Sequence, residues 1–209
     1  MPWAHLLKHS ATRVQLRATE AHPRKQDHMA WPEDLDRVLI TEQQLTAKVS
    51  ELAQQLRADY AGKNPALIGV LTGSFVFMAD LIRRLDFDLT VDFMAVSSYE
   101  DATVSSGKVR MTKDCSHDIA GRHVIIVEDI IDTGYTLQHI CNILKHRKPA
   151  SLKLCCLLDK PSRRRAQIGP DYVGFEIPDE FVVGYGLDFA EQHRNLPYVA
   201  VLKKEAWQS

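Results

Sequence analysis

The sequence predicts an α/β fold built on a mostly parallel central sheet flanked by helices. Three observations lead there. Runs rich in Val, Ile and Leu, of the length of buried strands, recur at Ala66–Leu71, Leu89–Val96, Val124–Val127 and Leu152–Leu158. Stretches with apolar residues at helical spacing precede or separate them. Three of the runs end in small or acidic residues, at Thr72-Gly73, Glu128-Asp129 and Asp159-Lys160. Strands alternating with helices give a sheet covered on its faces.

Residues 1–36 precede this pattern. They carry two of the three tryptophans, histidines and arginines with weak periodicity. No secretory h-region is present, and Glu20, Asp27, Glu33, Asp34 and Asp36 argue against an organelle-targeting peptide. The segment reads as a loosely ordered extension, or as the product of a start upstream of Met29, and residues 37–209 read as the domain.

Thr41 with Gln44 forms a capping-box pattern, and Leu45, Val49, Leu52, Leu56 and Tyr60 follow on one helical face, with Gly62 as a C-terminal stop. Ala66–Leu71 is a buried strand that stops at Thr72-Gly73-Ser74. A helix using Phe75, Met78, Ile82 and Leu85 is expected next, then the strand Leu89–Val96. Residues 98–109 are small and polar, a mobile loop between two extended segments that closes near Arg110-Met111. The strand Val124–Val127 leads into a helix using Leu137, Ile140, Cys141 and Leu144. Leu152–Leu158 is a further strand. Extended segments follow near Tyr172–Ile177, Phe181–Tyr185 and Tyr198–Leu202.

At 209 residues the chain is long enough for one well-packed core. Its net charge of -1, from 26 basic and 27 acidic residues, lacks the excess that a general nucleic-acid or membrane-surface binder shows. No apolar run approaches the roughly 20 residues of a membrane span. Cys115, Cys141, Cys155 and Cys156 contain no C-x-x-C pair, and the histidines no zinc spacing. Cys155 and Cys156 adjoin in a strand, so they should face opposite sides. Buried thiols fit a reducing, cytoplasmic compartment.

The chemistry concentrates in Val124-Ile125-Ile126-Val127-Glu128-Asp129-Ile130-Ile131-Asp132-Thr133-Gly134-Tyr135-Thr136. One acid at a strand end would merely mark the chain returning to water. Two adjacent acids, followed by Asp-Thr-Gly-X-Thr at the start of a helix, place hydroxyl acceptors beside backbone N–H groups that can hold an anion. A sugar phosphate satisfies both. In an open α/β sheet the ligand sits outside the carboxyl ends of the strands, where all three marked ends would converge.

That run resembles the phosphoribosyl pyrophosphate motif of the type I phosphoribosyltransferases. Leu71-Thr72-Gly73-Ser74-Phe75, Ser97-Ser98-Tyr99, Leu158-Asp159-Lys160-Pro161 and the stretch Val173–Asp188 narrow the resemblance to the hypoxanthine-guanine branch in its bacterial form, over about residues 37–205. The resemblance implies the type I fold, with a small hood formed by the N- and C-terminal segments. It also implies a reaction: a 6-oxopurine displaces pyrophosphate from C1 of phosphoribosyl pyrophosphate, giving IMP or GMP, through an oxocarbenium-like transition state.

The implied roles follow position by position. Amides of Asp132 to Thr136, with the Thr133 and Thr136 hydroxyls, hold the 5′-phosphate; Gly134 permits the close approach. Glu128 and Asp129 take the ribose hydroxyls directly or through Mg2+. Asp132 is the acid/base at purine N7, and Lys160 donates to the 6-oxo group, which selects against adenine. Phe181 stacks on the base, Val182 contacts it through the main chain, and Asp188 contributes a carbonyl and a link to metal. Arg194 contacts pyrophosphate, as does the Leu71-Thr72-Gly73 turn, for which the family implies a non-proline cis peptide. Ser98 and Tyr99 belong to a lid that excludes water. Thr72 stands where many relatives carry Lys or Arg, which removes a side-chain charge. Tyr135 replaces Lys or Leu, with small effect because the backbone makes that contact. The implied partners are the two substrates and further copies of the chain, as a homodimer or homotetramer, with no nucleic acid and no membrane. A phosphoribosyl pyrophosphate-sensing RNA or DNA binder is the competing class, but only Lys145-His146-Arg147-Lys148 and Arg163-Arg164-Arg165 are basic clusters. The first suits a helix C-terminus; the second would serve an oligomer contact or a phosphate. A Rossmann oxidoreductase would need G-x-G-x-x-G, which is absent.

Overall fold

A computed structural model describes residues 32–98 and 109–207. Its larger sheet has six strands in the order β4-β3-β2-β5-β6-β7. These are β2 (Ala66–Leu71), β3 (Thr90–Ser98), β4 (Val109–Lys113), β5 (His123–Ile131), β6 (Ser151–Asp159) and β7 (Tyr172–Glu176). All neighbours are parallel except β3 and β4. Helices α1 (Glu42–Tyr60), α2 (Phe75–Ile82) and α3 (Tyr135–His146) supply the covering layers. A smaller antiparallel sheet, β1 (Leu35–Ile40), β9 (Val199–Leu202) and β8 (Val182–Val183), forms the hood from both ends of the domain. The short helix α4 (Lys204–Trp207) follows β9. Among the described residues no helix is long and apolar enough to cross a membrane.

Local signals translate directly into α1. Thr41 accepts the Gln44 N–H while the Gln44 side chain returns to the Thr41 N–H at 2.8 Å, which completes the capping box. Leu45, Val49, Leu52, Leu56 and Tyr60 are all buried, and Gly62 sits just past the end at φ 78. The α3 face of Leu137, Ile140, Cys141 and Leu144 is likewise buried. Burial of apolar surface on both sides of the sheet makes two core clusters, and Cys155 belongs to one and Cys156 to the other.

Three expectations are corrected. The acid-tipped strand does not stop at Val127. Glu128, Ile130 and Ile131 pair onward with Cys156, Leu158 and Asp159, so β6 holds the acids in extended backbone. Helix α2 buries the expected Met78 but adds Phe77 and Leu81, while Ile82 and Leu85 are only partly buried against the core. Phe75 is 42% exposed and Leu85 lies beyond the helix. The helix is two turns long, and its rotation is fixed by the preceding turn, where the Ser74 hydroxyl donates to the Val70 carbonyl at 2.7 Å. Strand β1 begins at Leu35, inside the segment assigned to the extension. Leu35 is buried against the hood, and irregularities in the β1–β9 register blur the alternation that would have marked it.

Candidate active site

The strand order places a crevice at one point. From β2 the chain proceeds outward to β3 on one side, while β5, β6 and β7 build outward on the other. Such a switch point is where α/β sheets bind ligands. The β2–β5 ladder ends at the Gly69–Val127 pair. The next residues, Val70-Leu71-Thr72-Gly73 on one side and Glu128-Asp129 on the other, line a cleft of about 1020 Å³ under the hood.

The cleft floor is built by close approach. The Leu71–Thr72 peptide is cis. A Cβ at Gly73 would land on the Asp129 carboxylate, and a Cβ at Gly186 (φ 102) would land on the Gly73 carbonyl. Asp129 is 9% exposed. Burial pushes its carboxyl up to about 6, against the pull of the Ile130 N–H at 2.8 Å and of nearby Arg194. Glu128 is raised well above the ordinary glutamate range by burial and by Asp129 beside it, and its Oε2 is buried without a hydrogen-bond partner.

Next to the acids, the loop into α3 has its carbonyls tied back. The Arg165 and Ala166 N–H groups donate to the Thr133 carbonyl at 3.0 Å, Gln138 to that of Gly134, and the Arg164 guanidinium to that of Asp132 at 3.2 Å. The N–H groups of Thr133, Gly134, Tyr135 and Thr136 have no partner among the described residues. Gly134 has φ 84, and a Cβ there would press on Ile168 at 2.8 Å. Carbonyls anchored behind and amides free in front, at the start of a twelve-residue helix, make an anion cradle.

In the same cleft, Lys160 is 7% exposed and donates to the Glu180 carbonyl at 2.7 Å. Burial lowers its pKa, opposed by Asp132 and Asp179. The Asp132 carboxylate accepts from Arg163 Nε at 2.8 Å, and Arg163 also reaches Asp179 at 3.6 Å. Glu180 is gripped by Arg37 with both carboxylate oxygens at 2.6 Å. Arg194 pairs with Asp188 at 2.9 Å and donates to the Gly186 carbonyl at 2.9 Å. The second Asp188 oxygen accepts the Glu191 N–H at 2.9 Å.

Of the residues singled out from sequence, Leu71, Thr72, Gly73, Glu128, Asp129, Asp132, Thr136, Lys160, Phe181, Val182, Asp188 and Arg194 line this one cleft. Thr133, Gly134 and Tyr135 form the adjoining cradle, with the Tyr135 ring 51% exposed. The Ser98 backbone pairs with Val109 at the open end of β3; its side chain and all of Tyr99 lie outside the described residues. Arg37, Arg163, Asp179, Glu180 and Trp207 also line the cleft and were not anticipated. Arg163 and Arg164 pair with Asp132 and Asp159, where the sequence had suggested an oligomer contact or a phosphate.

A switch-point cleft that sets paired acids beside a free-amide loop, roofed by a hood, defines the phosphoribosyltransferase class of α/β domain. The profile of the phosphoribosyl transferase domain matches residues 39–190. The chain is 51% identical over 176 residues to the hypoxanthine-guanine phosphoribosyltransferase of Bacillus subtilis, covering 84% of this chain and 98% of that one. A hypoxanthine phosphoribosyltransferase structure from Staphylococcus aureus superposes with a TM-score of 0.81 at 50% identity, covering 84% of this chain and 96% of that one. The chain therefore belongs to the hypoxanthine-guanine phosphoribosyltransferase family. It is also 52% identical over 174 residues to the bifunctional TilS/HprT protein of Listeria innocua; the match takes in 83% of this chain and 27% of that longer protein.

Proposed function

We propose that the protein transfers the 5-phosphoribosyl group of phosphoribosyl pyrophosphate to N9 of hypoxanthine or guanine, giving IMP or GMP and pyrophosphate. The observation that carries this is the juxtaposition of Glu128 and Asp129, which line the cleft together with Thr136, and the adjoining amides of 133–136, unpartnered among the described residues. The amides take the 5′-phosphate. The two acids take the ribose hydroxyls, whose donated protons the carboxylates are short of. Lys160 and Phe181 line the same cleft and would meet the base attached at C1.

Lys160 is already aligned by the Glu180 carbonyl, so its remaining protons can serve the 6-oxo group; adenine's 6-amino group offers no acceptor there. Asp132 exchanges the proton at N7 as the N9–C1 bond forms, and Arg163 holds its carboxylate toward the cleft. Arg194 and the 71–73 turn face the departing pyrophosphate. Covering the site keeps water from the cation-like centre.

The donor set fits magnesium. Glu128 Oε2 is buried and unpartnered, and Asp129 offers a second hard oxygen. One or two carboxylates beside oxygens brought by the substrate are what this ion takes. Glu128 and Asp129 would hold it, with Asp188 joining if it releases Arg194 or the Glu191 N–H. When bound, the ion neutralises charge on the leaving pyrophosphate.

Conversion of hypoxanthine and guanine to nucleotide, measured with magnesium present and adenine and xanthine as competitors, tests the assignment. Asp132→Asn should lower turnover by about a hundredfold or more while leaving the fold intact, as expected of a lost acid/base. Near wild-type turnover in that variant would remove Asp132 from its role.

A further inference from the structure

Phe181 is held from the C-terminal side of the hood. Its carbonyl accepts the Leu202 N–H at 2.8 Å, and α4 turns back over it directly afterwards. The Trp207 indole lies against the Phe181 ring with centroids 5.5 Å apart and planes 28° apart. Phe189 meets the same ring at 5.5 Å and 88°, edge to face. These two neighbours are not equivalent. Phe189 packs with Phe181 on the buried hood cluster of Leu35, Val183, Leu196, Ala200 and Leu202. Trp207 lines the cleft together with Phe181, Lys160 and Val182, and Phe189 does not. Trp207 therefore marks the cleft side of Phe181, the side from which a purine must approach.

A base sandwiched between two rings needs them about 7 Å apart, twice the ~3.5 Å contact distance of stacked carbons. The observed 5.5 Å leaves no such gap. The indole is also loosely held. It is 36% exposed and hangs from a single turn, closed by the Ala206 N–H on the Lys203 carbonyl at 3.1 Å.

We propose that Trp207 is a displaceable cover of the base subsite: its indole occupies the Phe181 surface in the base-free protein and yields that surface to the purine. The proposal rests on the transferase function and adds to it a determinant of base affinity. Each binding event exchanges one aromatic stack for another, so the cover weakens apparent base affinity by the strength of the pair it gives up.

The test uses the full chain with Trp3→Phe and Trp31→Phe, which leaves Trp207 as the sole indole. IMP should shift its emission saturably, because the ring leaves Phe181. Trp207→Ala should lower the KM for hypoxanthine by about threefold to tenfold, the strength of an aromatic pair, with the KM for phosphoribosyl pyrophosphate unmoved. An unchanged or raised KM for hypoxanthine in Trp207→Ala would overturn the cover. So would emission indifferent to IMP in a protein that turns over. A wild-type protein that makes no nucleotide would instead overturn the transferase function itself.

Discussion

Asp92 and Asp129 are carboxylates on strands of the same sheet, the first part-buried and the second buried, and they are built for opposite ends. Asp92, on β3, receives five donors: the N–H groups of Phe93, Ser116 and His117 at 2.8, 2.5 and 3.2 Å, the His117 ring at 3.1 Å and Lys113 at 3.4 Å. Burial opposes its charge, but the combined donors outweigh burial and bring its pKa down to about 2. Asp129 receives only N–H groups of its own stretch, and burial wins, up to about 6. Asp92 is a finished contact that pins the segment after β4 to the sheet edge. Asp129 is an unfinished one, short of donors within the fold. Burial and the supply of hydrogen-bond donors together separate the two acids: Asp92 is less buried and well supplied, Asp129 more buried and poorly supplied.

The largest expected effect that sharpens this contrast is functional. Asp129→Asn should raise the KM for phosphoribosyl pyrophosphate by about tenfold to a hundredfold, the range for losing hydrogen bonds to a charged group; steady-state kinetics at varied substrate would show it. An Asp92→Asn protein should bind both substrates as the wild type does.

Its loss should fall on stability. With a pKa lowered from 3.8 to about 2, Asp92 contributes on the order of 2 kcal/mol that is fully present above pH ~4 and disappears as pH falls through about 2. Urea denaturation at neutral pH should show that loss in Asp92→Asn. An unchanged midpoint would equate the two acids and break the comparison.

The sign reverses at Asp129. Its pKa is raised above 3.8, so its contribution is fully present below pH ~4 and is lost as pH rises through about 6. In chelator and without substrate, Asp129→Asn should therefore be more stable than wild type at pH 8, by about 1–3 kcal/mol, and the gap should close toward pH 4. The smallest effect is expected at Lys113. Its ammonium is 41% exposed and 3.4 Å from Asp92, so Lys113→Gln should cost about 0.5 kcal/mol or less by the same denaturation assay.

Much of this was legible in the chain because the signals are local. The Thr41–Gln44 box, the buried faces of α1 and α3 and the strand Ala66–Leu71 each depend on spacing within one segment. The motif from Val124 to Thr136 is equally contiguous. What sequence hid depends on distant partners. Strand β1 exists through pairing with β9, which ends the domain. Arg37 enters the cleft by gripping Glu180, a contact across 143 positions. Arg163 read as one of three adjacent cations for an oligomer contact or a phosphate, and its pairing with Asp132 appears only when the loop after β6 folds back. Trp207 carries no motif, and only the turn over Phe181 reveals it.

The close approach of Gly73 and Gly186 sets what the floor of the cleft can tolerate. One hydrogen atom is all the room available at either position, since an added carbon would strike the Asp129 carboxylate in the first case and a peptide oxygen in the second. Neither glycine has a side chain to bond sugar or base, yet a carbon added at either would displace a group that shapes the cleft floor. A mutational scan scored by growth should rank both positions with the reacting residues, for the room they leave.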